Sequence, residues 1–145
     1  FEKSGSEVKD GMDISLLAIM NKGGKMESIK WAGANNPLWY ISNGQLIEIK
    51  ADKQPVGKFI NNKPFTTQSV PLKKGDTVYL ITDGFADQFG GPKGKKFKYK
   101  NLKELLIEHN SQAMVHQNAR LAQNFEVWKS NLEQVDDVTI LGIKI

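Results

Sequence analysis

Between the runs "PLWYIS" and "QLIEIK" stands the dipeptide Asn43-Gly44. That pair accepts the positive φ angles a two-residue turn demands, so the flanking runs are committed to an antiparallel hairpin. The pattern recurs upstream. "ISLLAIM" (Ile14 to Met20) and "MESIKWA" (Met26 to Ala32) flank Asn21-Lys22-Gly23-Gly24, which supplies turn chemistry. The first run is continuously apolar, the signature of a strand buried on both faces. The second alternates, as a half-buried strand does.

Further along, Lys50 to Lys63 is polar, carries Pro55 and Gly57, and reads as a loop. "FTTQSVPL" (Phe65 to Leu72) reads as an edge strand, because Pro71 cannot donate to a ladder. "TVYLI" (Thr77 to Ile81) reads as a buried strand. Helical spacing begins only afterwards. Leu102, Leu105 and Leu106 stand at i, i+3, i+4, and Met114, Val115, Leu121, Ala122, Phe125 and Trp128 trace a second stripe. Val138 to Ile145 closes the chain as a β-branched strand. Strands joined by short turns, with helices grouped in sequence, imply an α+β fold with antiparallel sheets.

Composition narrows the function. The 145 residues suffice for one domain with a core, and 39% hydrophobic with 25% charged residues is a globular balance. The absence of cysteine excludes disulfides, thiol catalysis and Cys-ligated zinc, and is compatible with the expected cytoplasmic location. No apolar run approaches the roughly 18 residues of a membrane span. The start, Phe1 to Ser6, has neither a signal-peptide pattern nor an initiator methionine, so the chain is expected to be a piece of a longer one.

Two acidic motifs stand out. Taken alone, Asp83-Gly84 after "TVYLI" is a turn dipeptide. Asp136-Asp137 directly precedes "VTILGIKI". Adjacent carboxylates repel, and a strand entrance offers no helix dipole to relieve them. A hard divalent cation would, since Mg²⁺ and Mn²⁺ prefer oxygen ligands. If the two strands are antiparallel neighbours, the end of one meets the start of the other, and the carboxylates could share a metal.

"LKKGDTVYLITDGFADQ" followed by "EQVDDVTILGIKI" resembles the C-terminal half of the bacterial SpoIIE-type domain of the metal-dependent PPM serine/threonine phosphatases. "GMDISLLAIM", "WAGANNPLWY" and "ADKQPVG" are similar to its middle segments, in the family's order. The resemblance implies a β-sandwich of antiparallel sheets flanked by helices. In that family two divalent ions, Mn²⁺ or Mg²⁺, hold and activate a water that attacks phosphorus directly. Asp83 and Asp136 match the family's metal-binding, catalytic aspartates. Gly84, Asp137 and Asn35, the last in an "A-G-x-N-x-P" turn, match positions around them. The family's "D-x-x-G-H-G"-like segment has no counterpart here, and His109 and His116 lie far downstream. Residues 1–145 are therefore expected to form a single partial domain missing the N-terminal strands and helices, with an exposed edge that invites homodimerisation.

By the same resemblance, the substrate is a phosphoprotein, a STAS-type anti-sigma-factor antagonist, and a sensor domain precedes the phosphatase in its chain. The alternative is an inactive phosphatase-like fragment that binds proteins. Nucleic-acid binding ranks last. The +4 net charge resides in Lys93, Lys95, Lys96, Lys98 and Lys100, without which the balance is −1. Phe97 and Tyr99 interleave with these lysines as on some nucleic-acid surfaces. Phe89 and Lys96 stand where a P-loop ending at Gly94-Lys95 needs Gly and Ser or Thr. What remains is a solvated basic loop, or one that steers an acidic phosphoprotein.

Overall fold

The computed structural model describes residues 11–57 and 63–145. In chain order the elements are β1 (Gly11–Met12), β2 (Ile14–Lys22), β3 (Lys25–Ala34), β4 (Leu38–Ser42), β5 (Gln45–Ile49), β6 (Val56–Gly57) and β7 (Gln68–Ser69). They continue as β8 (Thr77–Ile81), α1 (Gly84–Asp87), β9 (Phe89–Gly90), β10 (Lys95–Lys96), α2 (Lys98–His109), α3 (Met114–Lys129) and β11 (Ile140–Lys144). Every pairing between named strands is antiparallel, as the turn chemistry requires. The chain forms two compact units.

The first unit comprises the described residues of Phe1–Pro37 and Lys50–Val70. Its sheet has the order β2-β3-β7, and β1 pairs with β6. The β2–β3 hairpin turns at Gly23 (φ 57°) and Gly24 (φ 75°), left-handed values that suit glycine. β3 alternates as expected, burying Ile29 and Trp31. Trp31 donates its indole N–H to the Ser15 hydroxyl at 2.8 Å.

The double burial expected of Ile14 to Met20 fails. Leu16 is 65% and Met20 51% exposed, because β2 is an edge strand and no layer covers that face among the described residues. The expected strand from Phe65 to Leu72 shrinks to Gln68–Ser69 at the sheet edge. There, the Asp52 carboxylate accepts the Thr66 N–H (2.8 Å), which is thereby lost to the ladder. Lys50 to Lys63 is mostly loop, with short β6 inside it, and residues 58–62 of that expectation lie outside the described residues.

The second unit comprises Leu38–Ile49 and Pro71–Ile145. Its sheet has the order β11-β8-β4-β5. The β4–β5 turn is Asn43 (φ 51°) and Gly44 (φ 73°), as the dipeptide demanded. Trp39, Ile41, Tyr79 and Ile81 of β4 and β8 join one apolar cluster with Leu102, Leu105 and Leu106 of α2 and Phe125 of α3. Fully burying side chains of this size is worth roughly 1.5–3 kcal/mol each, which makes this cluster the main anchor of the unit.

The α3 stripe is corrected in detail. Val115 is 68% exposed, and its expected place in the stripe is taken by buried Gln117. Gln117 accepts the Tyr79 hydroxyl at 2.7 Å and donates to the Asn110 and Gln112 carbonyls. A buried amide that uses both ends behaves as core.

Candidate functional site

The site is built on the β8–β11 pair. Ile81, the last residue of β8, stands opposite Ile140, the first of β11. Beyond this register Thr82 continues the zipper. Its N–H donates to the Thr139 carbonyl at 3.0 Å, and the Thr139 N–H donates to the Thr82 hydroxyl at 3.0 Å. The Thr82 hydroxyl also reaches the Asp137 carbonyl at 3.3 Å. The aspartate pair thus lies in the lead-in to β11, a little before the strand entrance the sequence implied.

This register carries Asp83 and the Asp136-Asp137 pair to the same end of the sheet. Asp83 opens α1, and its carbonyl accepts the Asp87 N–H at 2.9 Å. The carboxylate of Asp83 makes no capping bond and is exposed, so it is not spent on the helix. Gly84 is buried, and a Cβ there would run into the Asp137 carbonyl. Glycine is therefore the condition for α1 to lie against the second acidic segment. Asp136 accepts the Asp137 N–H at 2.7 Å on one oxygen, and its carbonyl accepts from the Gln134 side chain at 2.9 Å.

Gln88 organises this end of the unit, and sequence reasoning missed it. It is fully buried. Its amide donates to the carbonyls of Phe89 (3.0 Å) and Glu133 (2.9 Å), while its side-chain oxygen accepts the Val135 N–H at 3.4 Å. Its own carbonyl accepts from the Trp128 indole and the Phe97 N–H, both at 3.0 Å. One side chain thus ties the end of α1 to the segment that leads into Asp136. A lone glutamine in a Phe-Gly loop carries no pattern that would reveal this.

Tyr99 was also missed as a neighbour of the site. Its phenol is pushed up to about 12, first by burial and then by the negative charges of Asp83, Asp87 and Glu48. It is therefore neutral at physiological pH and edge-on to Trp39, with ring centroids 5.4 Å apart. The lysines fall in and after the β9–β10 hairpin, where Lys96 pairs with Asp87 at 3.0 Å.

Asn35 belongs to the first unit. Its left-handed φ of 62° suits asparagine, and its side chain donates to Asp13 at 2.6 Å. Among the described residues, no group of three His, Asp or Glu side chains converges as a cation cage. The chemistry of Asp83 and Asp136 suits a hard cation, and two carboxylates supply part of a six-oxygen shell.

Residues 12–145 match the family described as Stage II sporulation protein E (SpoIIE). The chain belongs to the SpoIIE family. Among solved structures it is similar to the SiaA-PP2C domain of Pseudomonas aeruginosa, at 30% identity and a TM-score of 0.72, covering 81% of this chain and 46% of that one. It is similar in fold to the Mn-presoaked phosphatase domain of SpoIIE from Bacillus subtilis. That likeness is 20% identical with a TM-score of 0.65, covering 92% of this chain and 56% of that one. The PPM Ser-Thr phosphatase MsPP from Mycobacterium smegmatis, in complex with cacodylate, shares the fold at 10% identity and a TM-score of 0.62. There 98% of this chain and 66% of that one are covered. The chain spans about half the length of the first two. Curated proteins yield no match.

Proposed function

We propose that the chain is the C-terminal part of one metal-dependent protein serine/threonine phosphatase domain, and that both units belong to it. The observation that carries this reading is the β8–β11 register, which delivers Asp83 and Asp136 to one sheet end in a chain of the SpoIIE family. The two carboxylates would hold a divalent cation, Mn²⁺ or Mg²⁺, and as only part of a six-oxygen shell they would need further oxygen ligands from outside the pair. When bound, such cations supply Lewis acidity to a phosphoryl group and lower the pKa of the attacking water.

The chain's own residues prepare this site. Gly84 lets α1 lie against the Asp137 backbone, and Gln88 holds the approach to Asp136. Tyr99, kept neutral, adds no further negative charge to the field of Asp83 and Asp87. The substrate is a phosphoprotein of the STAS anti-sigma-factor-antagonist type, and a sensor domain in the same protein regulates the reaction. The reaction takes place in the cytoplasm, and none of the described helices is long and apolar enough to cross a membrane. The edge strands β2 and β11 are where a second copy or the rest of the domain adds its strands.

The test is Mn²⁺-dependent release of phosphate from a phosphorylated STAS-type protein by the parent protein. Asp83→Asn abolishes it if the reading holds, and undiminished turnover by that variant overturns it.

A further inference from the structure

The lysine segment is held in a rigid frame. Phe97 is buried between Phe85 and Trp128, with ring centroids 5.0 and 5.2 Å away, and its N–H is fixed on the Gln88 carbonyl. The hairpin seats on Trp128, because Gly90 and Gly91 lie where any Cβ would strike that residue. The Gly91 N–H also donates to the Trp128 carbonyl at 2.9 Å. From this frame Lys93, Lys95, Lys96, Lys98 and Lys100 all point into solvent. Of these five, only Lys96 has an ion-pair partner among the described residues. Neither does α2 offset the rest, since its first turn holds no acid.

We infer that the β9–β10 hairpin with the start of α2 is a docking surface for an acidic protein segment beside the phosphorylated residue. This rests on the phosphatase reading and adds the class of sequence it selects. Three observations favour an acidic segment. The backbone that carries the lysines is fixed, so binding orders their side chains but not the loop itself. Lys96 is tied to Asp87, one helical turn, or about 6 Å, after Asp83, so a docked segment lies next to the proposed metal site. A single-stranded nucleic acid needs exposed rings for stacking. Here Phe97 is buried in the core and Tyr99 is packed against Trp39, and the partly exposed Phe89 ring has the Lys96 ammonium 5.8 Å from its centroid, so the surface offers no run of open rings for successive bases.

Fluorescence anisotropy of this chain tests the inference without metal or turnover. The probes are a short phosphoserine peptide flanked by Asp and Glu, a phosphoserine peptide flanked by Ser and Gln, and a single-stranded DNA. The acidic peptide is expected to bind about tenfold more tightly than the neutral one at low salt, the sum of several exposed ion pairs. That preference disappears at high salt. It also disappears when Lys93, Lys95, Lys98 and Lys100 are all changed to Glu. The matching Gln variant, which adds no repulsion, loses it as well, and circular dichroism verifies that both variants fold. Equal affinity for the two peptides, a preference that survives in the folded Gln variant, or tighter binding of the DNA than of the acidic peptide overturns the proposal. Failure of the phosphatase reading would show separately, as absent hydrolysis with the peptide preference intact.

Discussion

Gly84 lies so close to the Asp137 carbonyl that the backbone leaves no room for a side chain between them. The contact joins the two acidic motifs through main chain, not through their carboxylates. Gly84→Ala is therefore expected to push α1 off the 136–137 segment and to cost about 1–3 kcal/mol, as overpacking does. Thermal melting measures the cost. A Mn²⁺ titration should weaken in the same variant, whereas Gly44→Ala at an open turn position should leave metal binding unchanged.

Gln88 is expected to matter more for stability than any surface polar residue. Gln88→Leu removes the side-chain partners of the Glu133 carbonyl and the Val135 N–H. Both residues are exposed, so water can take over part of the lost bonding. At roughly 0.5–1.5 kcal/mol for each of the two hydrogen bonds, the loss should be about 1–3 kcal/mol. Amide hydrogen exchange at Val135 should accelerate beyond what global destabilisation explains.

Two tyrosines set the alkaline limit. Burial pushes the Tyr79 phenol up to about 12, and burial, reinforced by Asp83, Asp87 and Glu48, does the same for Tyr99. The fold favours their protonated forms. Their contribution is complete below pH 10, the ordinary value, and is lost as pH rises from about 10 to 12. The urea midpoint should fall across that window and stay flat below it. In Tyr99→Phe the decline should be shallower.

Much of this architecture is visible in local chemistry. Gly23-Gly24 and Asn43-Gly44 specify their hairpins because few other residues adopt those φ angles. "TVYLI" is a buried strand as its composition implies. What escapes the sequence is non-local. "ISLLAIM" looks doubly buried because apolar content does not reveal whether a neighbouring layer is present, and the structure leaves Leu16 and Met20 exposed. Gln88 and Gln117 are core residues only because their partners lie up to 47 residues away. The carboxylates were legible as two motifs, and their common sheet end became visible only with the register of β8 on β11.

The most direct test of that register's meaning is paramagnetic broadening of this chain's amide resonances by sub-stoichiometric Mn²⁺. The account predicts that the amides of Asp83, Gly84, Asp136 and Asp137 broaden together, and that Asp83→Asn removes the effect at all four. Broadening confined to one motif, or centred elsewhere in the chain, would contradict a cation shared by Asp83 and Asp136.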